Sequence, residues 1–208
     1  MFITFEGSEG CGKTTQVAGL STWLCQQGYP VLVTREPGGT PIGDQIREVL
    51  FSMRNTDMEP RAEILLFQAS RAQLVSRVIL PHLQQGGIVL SDRYADSTLA
   101  YQGYGYQLDL APLRALIDFA TGGLKPDLTL LLDLDVEVGL KRRSKAGDIN
   151  RLDAYQVEFY QRVRSGYHQM VEDDPQRWAV IDAAQPAEQV QTAVRQVVLD
   201  RLKARREL

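Results

Sequence analysis

The sequence predicts an α/β fold, a doubly wound five-stranded parallel sheet with helices on both faces. Three observations lead there. Short apolar runs recur at about residues 2–6, 30–34, 88–91, 128–133 and 178–182, with helical patterns between them. Runs such as Val31-Leu32-Val33 and Leu128-Thr129-Leu130-Leu131-Leu132 do not alternate with polar residues, which is how strands covered on both faces read. The polar motifs begin at or just after the ends of these runs, where an open α/β sheet gathers its ligands.

The first run, Met1-Phe2-Ile3-Thr4-Phe5, leads into Gly7-Ser8-Glu9-Gly10-Cys11-Gly12-Lys13-Thr14 and then the helix-competent Thr15–Leu20. This is G-x-x-x-x-G-K-[ST] between a strand and a helix, the context that gives the pattern its meaning. Glycines let the backbone turn so that several N–H groups point into one concave space for phosphate oxygens. Lys13 adds charge for the outer phosphates, the Thr14 hydroxyl suits a Mg²⁺ ion, and the dipole of the following helix favours the same anion. Residues Gly7 to Thr15 are therefore expected to bind a nucleoside triphosphate, in a P-loop NTPase fold.

After the second run comes Arg35-Glu36-Pro37-Gly38-Gly39-Thr40, a turn that places Glu36 at a strand end. Thr40-Pro41 reads as an N-cap with proline at the first helical position, opening a helix near 42–51. On it, Arg47 either meets an acceptor phosphate or faces solvent. Pro60 opens a long helix to about Gln85, stopped by Gly86-Gly87. There Phe67 and Arg71 lie four apart on one face. Either the ring stacks on a base beside a guanidinium donor, or a core Phe has an Arg snorkelling past it.

The third run ends in Asp92-Arg93-Tyr94, with a carboxylate where a Mg²⁺–water shell needs negative charge and an arginine able to grip phosphate. In the next segment, if helical, Ser97 and Tyr101 share one face, and Thr98 and Gln102 another. Hydroxyls, a ring and an amide suit a nucleobase and sugar; a packed Tyr with its hydroxyl satisfied is the alternative. Residues 143–152 are polar without a clean period and read as a mobile flap between two helices. Lys141, Arg142, Arg143, Lys145 and Arg151 in or beside it could bring mobile positive charge to a phosphoryl in transfer. The charged stretch 200–208 reads as a solvated helix end.

At 208 residues the chain is expected to form a single domain, with that lid at about 143–152. A net charge of −3 gives no global basic field, so binding to a nucleic-acid backbone is not expected. Two cysteines, Cys11 and Cys25, fit a reducing cytoplasm. No apolar stretch approaches a membrane span, and the N-terminus enters a strand at once. The nearest string to the guanine-reading Asn-Lys-x-Asp of a GTPase switch, Asn150-Arg151-Leu152-Asp153, follows no strand.

Taken together, Glu6–Thr15, Thr34–Thr40, Phe67-Gln68-Ala69-Ser70-Arg71, Asp92-Arg93-Tyr94, Ser97 with Ala100-Tyr101-Gln102-Gly103, and Leu132-Asp133-Leu134-Asp135 resemble bacterial thymidylate kinases in order and spacing. The resemblance covers essentially the whole chain. It implies phosphorylation of dTMP by ATP with Mg²⁺, by a cytoplasmic homodimer. Carried over by position, Lys13 and Thr14 would hold ATP phosphates and metal, with Asp92 contributing to the metal shell partly through water. Glu9 would lie near the acceptor sugar and metal. Arg47 and Arg93 would bind the dTMP phosphate, Phe67 would stack on thymine, and Arg71, Thr98 and Gln102 would read its edge. Glu36 and Ser97 would complete that site, and Tyr101 would lie under the deoxyribose. Lys13, Glu9, Arg93, Arg142 and Arg151 are the expected catalytic set. In the flap, Arg142 and Arg151 align with the family, whereas Arg143 and Lys145 sit about one position off its spacing.

Overall fold

The computed structural model describes residues 1–146 and 156–206. In chain order it runs β1 (Phe2–Glu6), α1 (Lys13–Gln26), β2 (Val31–Arg35), α2 (Pro41–Phe51), α3 (Pro60–Leu74), a π-helical stretch Val75–Ile79, α4 (Leu80–Gln84) and β3 (Ile88–Asp92). It continues with α5 (Ala95–Thr98), a second π-helical stretch Leu99–Gly105, α6 (Leu110–Thr121), β4 (Leu128–Asp133), α7 (Val136–Ala146), α8 (Val157–Asp173), β5 (Trp178–Asp182) and α9 (Ala187–Arg206). The strands form one parallel sheet in the order β2-β3-β1-β4-β5.

β1 is central and buried along its whole length. Ile3 and Phe5 pack with Leu20 and Leu24 of α1, Leu90, Leu130, and Val194 and Val198 of α9. Phe2 points to the opposite face, against Leu74, Ile79, Val89 and Tyr94. Each such side chain contributes about 1.5–3 kcal/mol of burial free energy. Coverage of both faces holds for the inner strands but not the edges, where Val33 of β2 is 49% exposed and Val180 of β5 is 46% exposed. The expectation of full coverage is corrected there, because the helices that touch the edge strands, α1 on β2 and α8 and α9 on β5, leave some outward positions open. The register sets Phe5 opposite Asp92. That pairing brings the loop after β1 alongside Asp92-Arg93.

The capping signals hold. Thr40 Oγ1 accepts from Gly43 N at 3.0 Å, with Pro41 opening α2. The long helix from Pro60 does reach Gln84, but it passes through the π-helical stretch Val75–Ile79. Pro81 lacks the N–H an α-helix would direct at Arg77, and the widened turn falls just before it. The flap expected from residue 143 is corrected at its start, since α7 continues to Ala146. Arg143, Lys145 and Ala146 are strong helix formers and prolong a helix already nucleated, whatever their apolar period. The rest of that segment, with Arg151, lies outside the described residues. The C-terminal end is a helix end with Asp200, Lys203, Ala204 and Arg205 exposed, as expected, but it is anchored at three points. Leu202 is buried, and Arg201 and Arg205 reach back to Asp127 at 3.2 and 3.3 Å.

Candidate active site

The phosphate loop connects β1 to α1 and is shaped by close backbone approaches. Gly7 has φ +137°, and a Cβ there would lie 2.5 Å from the carbonyl oxygen of Leu132. At Gly10 (φ +69°) a Cβ would meet the Gly139 carbonyl at 2.1 Å, so only glycine fits either position. Lys13 is buried, its Nζ donating to the carbonyls of Gly7 and Ser8 at 3.1 and 3.0 Å and to Cys11 Sγ at 3.4 Å. The first turn of α1 carries no acidic side chain, so its positive dipole end stays available to an anion. Thr14 Oγ1 donates to Asp92 Oδ2 at 2.7 Å, which joins the loop to the end of β3.

Arg93 is the hub of the site. It adopts a left-handed backbone conformation, φ 71°, a strain of roughly 1–3 kcal/mol for a non-glycine residue. Its N–H to Phe5 O (3.0 Å) and a crowded guanidinium hold it there. Nη1 donates to Gly7 O (3.1 Å), Ser97 Oγ (3.1 Å) and Tyr167 OH (3.4 Å). Nη2 donates to Glu9 Oε1 (2.7 Å) and Tyr101 OH (3.0 Å). Burial pushes the Glu9 carboxyl up, but the charges of Arg93 and Lys13 and the Tyr101 hydroxyl outweigh it and hold its pKa at about 2. Glu9 is therefore a fixed anion at neutral pH.

Behind Arg93 lies a residue that the sequence reading quoted only as part of the loop motif. Glu6 is fully buried, accepting from Tyr94 N (2.8 Å), Ser97 Oγ (2.6 Å) and Tyr167 OH (2.8 Å). Burial and the nearby charge of Asp96 raise its pKa to about 7, against the lowering pull of Arg93 and the two hydroxyls. A charged residue closing the run Phe2-Ile3-Thr4-Phe5-Glu6 was the available signal. Tyr167 offered none, since its place on the apolar face of α8 looks like any core tyrosine.

The far side of the site is assembled from α2, α3 and the helix after β3. Arg71 is 1% exposed, so the snorkelling alternative is excluded. Its guanidinium pairs with Glu36 (Nη2–Oε2 2.6 Å) and donates to Gln68 Oε1 (2.8 Å), Thr98 Oγ1 (3.0 Å) and Tyr94 O (3.0 Å). Every nitrogen is thus engaged with protein, and a base carbonyl would have to share one of these donors. Burial raises the Glu36 pKa, partly offset by Arg71, and Glu36 Oε1 lacks a hydrogen-bond partner among the described residues. Arg47 donates to Pro37 O (2.9 Å) and lies 4.4 Å over the Phe51 ring. Phe67 is half-buried rather than a core residue.

One cavity of about 420 Å³ joins both sides. Glu9, Gly10, Gly12, Lys13, Thr14, Thr15 and Asp92 line one part of it. Glu36, Arg47, Phe67, Arg71, Arg93, Ser97, Thr98, Tyr101 and Gln102 line the other. Arg142 and Arg143 border it as well, with Arg142 also donating to Ala183 O at 3.1 Å. Gly7, Ser8 and Cys11 hold the loop's shape from behind, whereas Lys141 and Lys145 are exposed on α7 and do not line the cavity.

Known proteins point the same way. A family model described as "Thymidylate kinase" matches residues 5–194. A thymidylate kinase of Thermomicrobium roseum is 54% identical over 203 residues, covering 97% of this chain and 96% of that protein. One from Roseiflexus sp. (strain RS-1) is 52% identical over 200 residues, covering 90% and 88%. The crystal structure of thymidylate kinase from Ehrlichia chaffeensis superposes with a TM-score of 0.80 at 34% identity, covering 95% of this chain and 98% of that one. The chain belongs to the thymidylate kinase family and is an enzyme that phosphorylates dTMP to dTDP.

Proposed function

We propose that the single cavity holds ATP at the phosphate-loop end and dTMP at the other, so that the γ-phosphoryl passes directly between them. The observation that carries this is the shared lining: Lys13 and Asp92 open onto the same space as Arg93 and Tyr101. ATP would sit over residues Gly7 to Thr15, its outer phosphates met by Lys13 and the start of α1. Arg93 and Arg47 would take the dTMP phosphate, Phe67 would stack on the base, and Glu36, Ser97 and Tyr101 would frame the sugar and phosphate. Arg71, Thr98 and Gln102 would address the base edge.

The dTMP phosphate is already an anionic nucleophile, so no strong general base is needed. Glu9, held near pKa 2, is unsuited to accept a proton; it serves to orient Arg93 and Tyr101. Catalysis then consists of in-line positioning and charge neutralisation by Lys13, Arg93, Arg142 and Arg151. A lid beginning after α7, past Ala146, would exclude water. Tyr101, locked by Arg93 and Glu9, sets bulk where a 2′-hydroxyl would lie.

A hydroxyl and a carboxylate oxygen 2.7 Å apart, Thr14 Oγ1 and Asp92 Oδ2, are hard oxygen donors that fit Mg²⁺. Bound there, Mg²⁺ would offset the negative charge of the ATP phosphates. The unit is proposed to be one domain, 1–208. It is also proposed to pair as a homodimer through Ile42, Val49, Leu65 and the 88% exposed Phe119, which stand on the adjoining helices α2, α3 and α6. Two free cysteines accord with the cytoplasm.

Steady-state assays pairing ATP with dTMP and with thymidine test the reading. dTMP should be the preferred acceptor; faster phosphorylation of thymidine contradicts it.

A further inference from the structure

Gln102 lines the cavity beside Phe67, Arg71 and Thr98, yet its orientation is decided behind it. Glu63 of α3 is buried, and its Oε1 accepts from Gln102 Nε2 at 2.9 Å and from Tyr106 OH at 2.9 Å. A carboxylate only accepts, so the carboxamide must turn its NH₂ towards Glu63. A flipped amide would set oxygen against oxygen. Gln102 Oε1 therefore points away from Glu63 and has no protein donor among the described residues. Next to it, Thr98 Oγ1 accepts from Arg71 Nη1 (3.0 Å) and Gln68 Nε2 (3.3 Å), which leaves its own proton to donate. The cavity edge thus offers a donor beside an acceptor.

We propose that Glu63, which touches no substrate, is a specificity-determining positioning residue: it fixes Gln102 as an acceptor and so selects a pyrimidine carrying N3–H over one with a bare N3. This rests on the base-site reading above and extends it. Thymine presents O4 and N3–H, matching the donor–acceptor order. Cytosine presents an amino group and a lone pair, opposing donor to donor and acceptor to acceptor. A buried edge of fixed polarity rejects the mismatched partner because polar groups on both sides are left unpaired.

The test is a double-mutant cycle read as the ratio of kcat/KM for dTMP to that for dCMP, with ATP as donor. Glu63→Met should lower the ratio at least ten-fold while the KM for ATP stays within two-fold. Gln102→Met should lower it similarly, and the double variant no further, because the two act through one contact. Tyr106→Phe, which removes a second donor that Glu63 accepts from, should leave the ratio in place. A ratio that falls in Gln102→Met but not in Glu63→Met overturns this proposal and leaves the base-site reading standing. A ratio unmoved by Gln102→Met overturns both. Additive losses in the double variant also overturn it, since they mark Glu63 as structural. Should circular dichroism show Glu63→Met unfolded, Glu63→Asp draws the carboxylate back by about 1.5 Å and replaces it in the cycle, with the same outcomes deciding.

Discussion

The two ends of the cavity are built differently. The phosphate-loop end is one contiguous segment whose working surface is mostly backbone, shaped by glycines and closed by Lys13 on its own loop carbonyls. The acceptor end draws on β1, the turn after β2, α2, α3, β3 and the helix beyond it. It is held by buried side chains answering one another: Glu6 behind Arg93, Glu36 on Arg71, Glu63 on Gln102. A site made of backbone tolerates side-chain change except at its glycines and its charge. A site made of a buried polar network fails as a unit, because any lost partner strands another group.

The sharpest break between the two ends should come at Lys13. Lys13→Ala is expected to cut kcat by roughly a thousand-fold, the scale of losing a charge met by the phosphoryl in transfer. Its melting temperature should move little. Rapid-quench turnover beside a thermal melt measures both. A melt lowered as much as in the acceptor-end variants would erase the contrast.

Arg93→Ala should cost roughly a hundred-fold in kcat/KM for dTMP and also destabilise the protein. Glu9 and Glu6 would lose the cation that both face. Arg93→Lys should recover little of the activity, since one ammonium cannot reach Ser97, Gly7, Glu9 and Tyr101 together. Denaturant unfolding and dTMP titration of the same samples check the coupling of the two losses.

Arg71→Ala leaves Glu36 buried and unpaired, a cost on the order of 3–5 kcal/mol. It should raise the KM for dTMP and blur base selectivity while ATP affinity stays near normal. Adding Glu36→Ala should recover stability but not dTMP affinity. Unchanged dTMP kinetics in Arg71→Ala would remove it from the base site.

The smallest effect concerns pH. Glu6 has a folded-state pKa near 7, above its ordinary value of 4.5. Its contribution to stability is therefore full below about 4.5 and is lost as pH rises through 7. Glu9 runs oppositely, its contribution present above 4.5 and lost as pH falls towards 2. Between pH 5 and 8 Glu9 stays ionised, and of the two only Glu6 titrates. Wild type should lose stability relative to Glu6→Gln across that window, as followed by urea unfolding at each pH. A constant difference would mean that Glu6 titrates in its ordinary range.

How far each end could be read from the sequence follows from how it is built. The phosphate loop was legible because its chemistry is local, glycines and Lys13 at fixed spacing between a strand and a helix. The strands and the Thr40-Pro41 cap were legible for the same reason. The placement of Arg71 and Phe67 was open, since a four-residue spacing states which residues share a face but not what covers it. Glu63 and Tyr167 sit on amphipathic helices where a buried polar group looks like an ordinary position until its partner, far along the chain, is known. The end of α7 was missed because helix propagation needs no apolar period. The anchoring of the solvated end of α9 left no local signal because Asp127, which Arg201 and Arg205 reach, is remote in sequence.

Whether donor and acceptor occupy one continuous cavity is decided by a single linked compound. Adenosine and thymidine joined at their 5′ positions through a chain of phosphates should compete with both ATP and dTMP, and bind at least ten-fold more tightly than either, as two tethered ligands do when both sites are spanned. Competition with only one substrate, or affinity no better than that of the better single nucleotide, would contradict it.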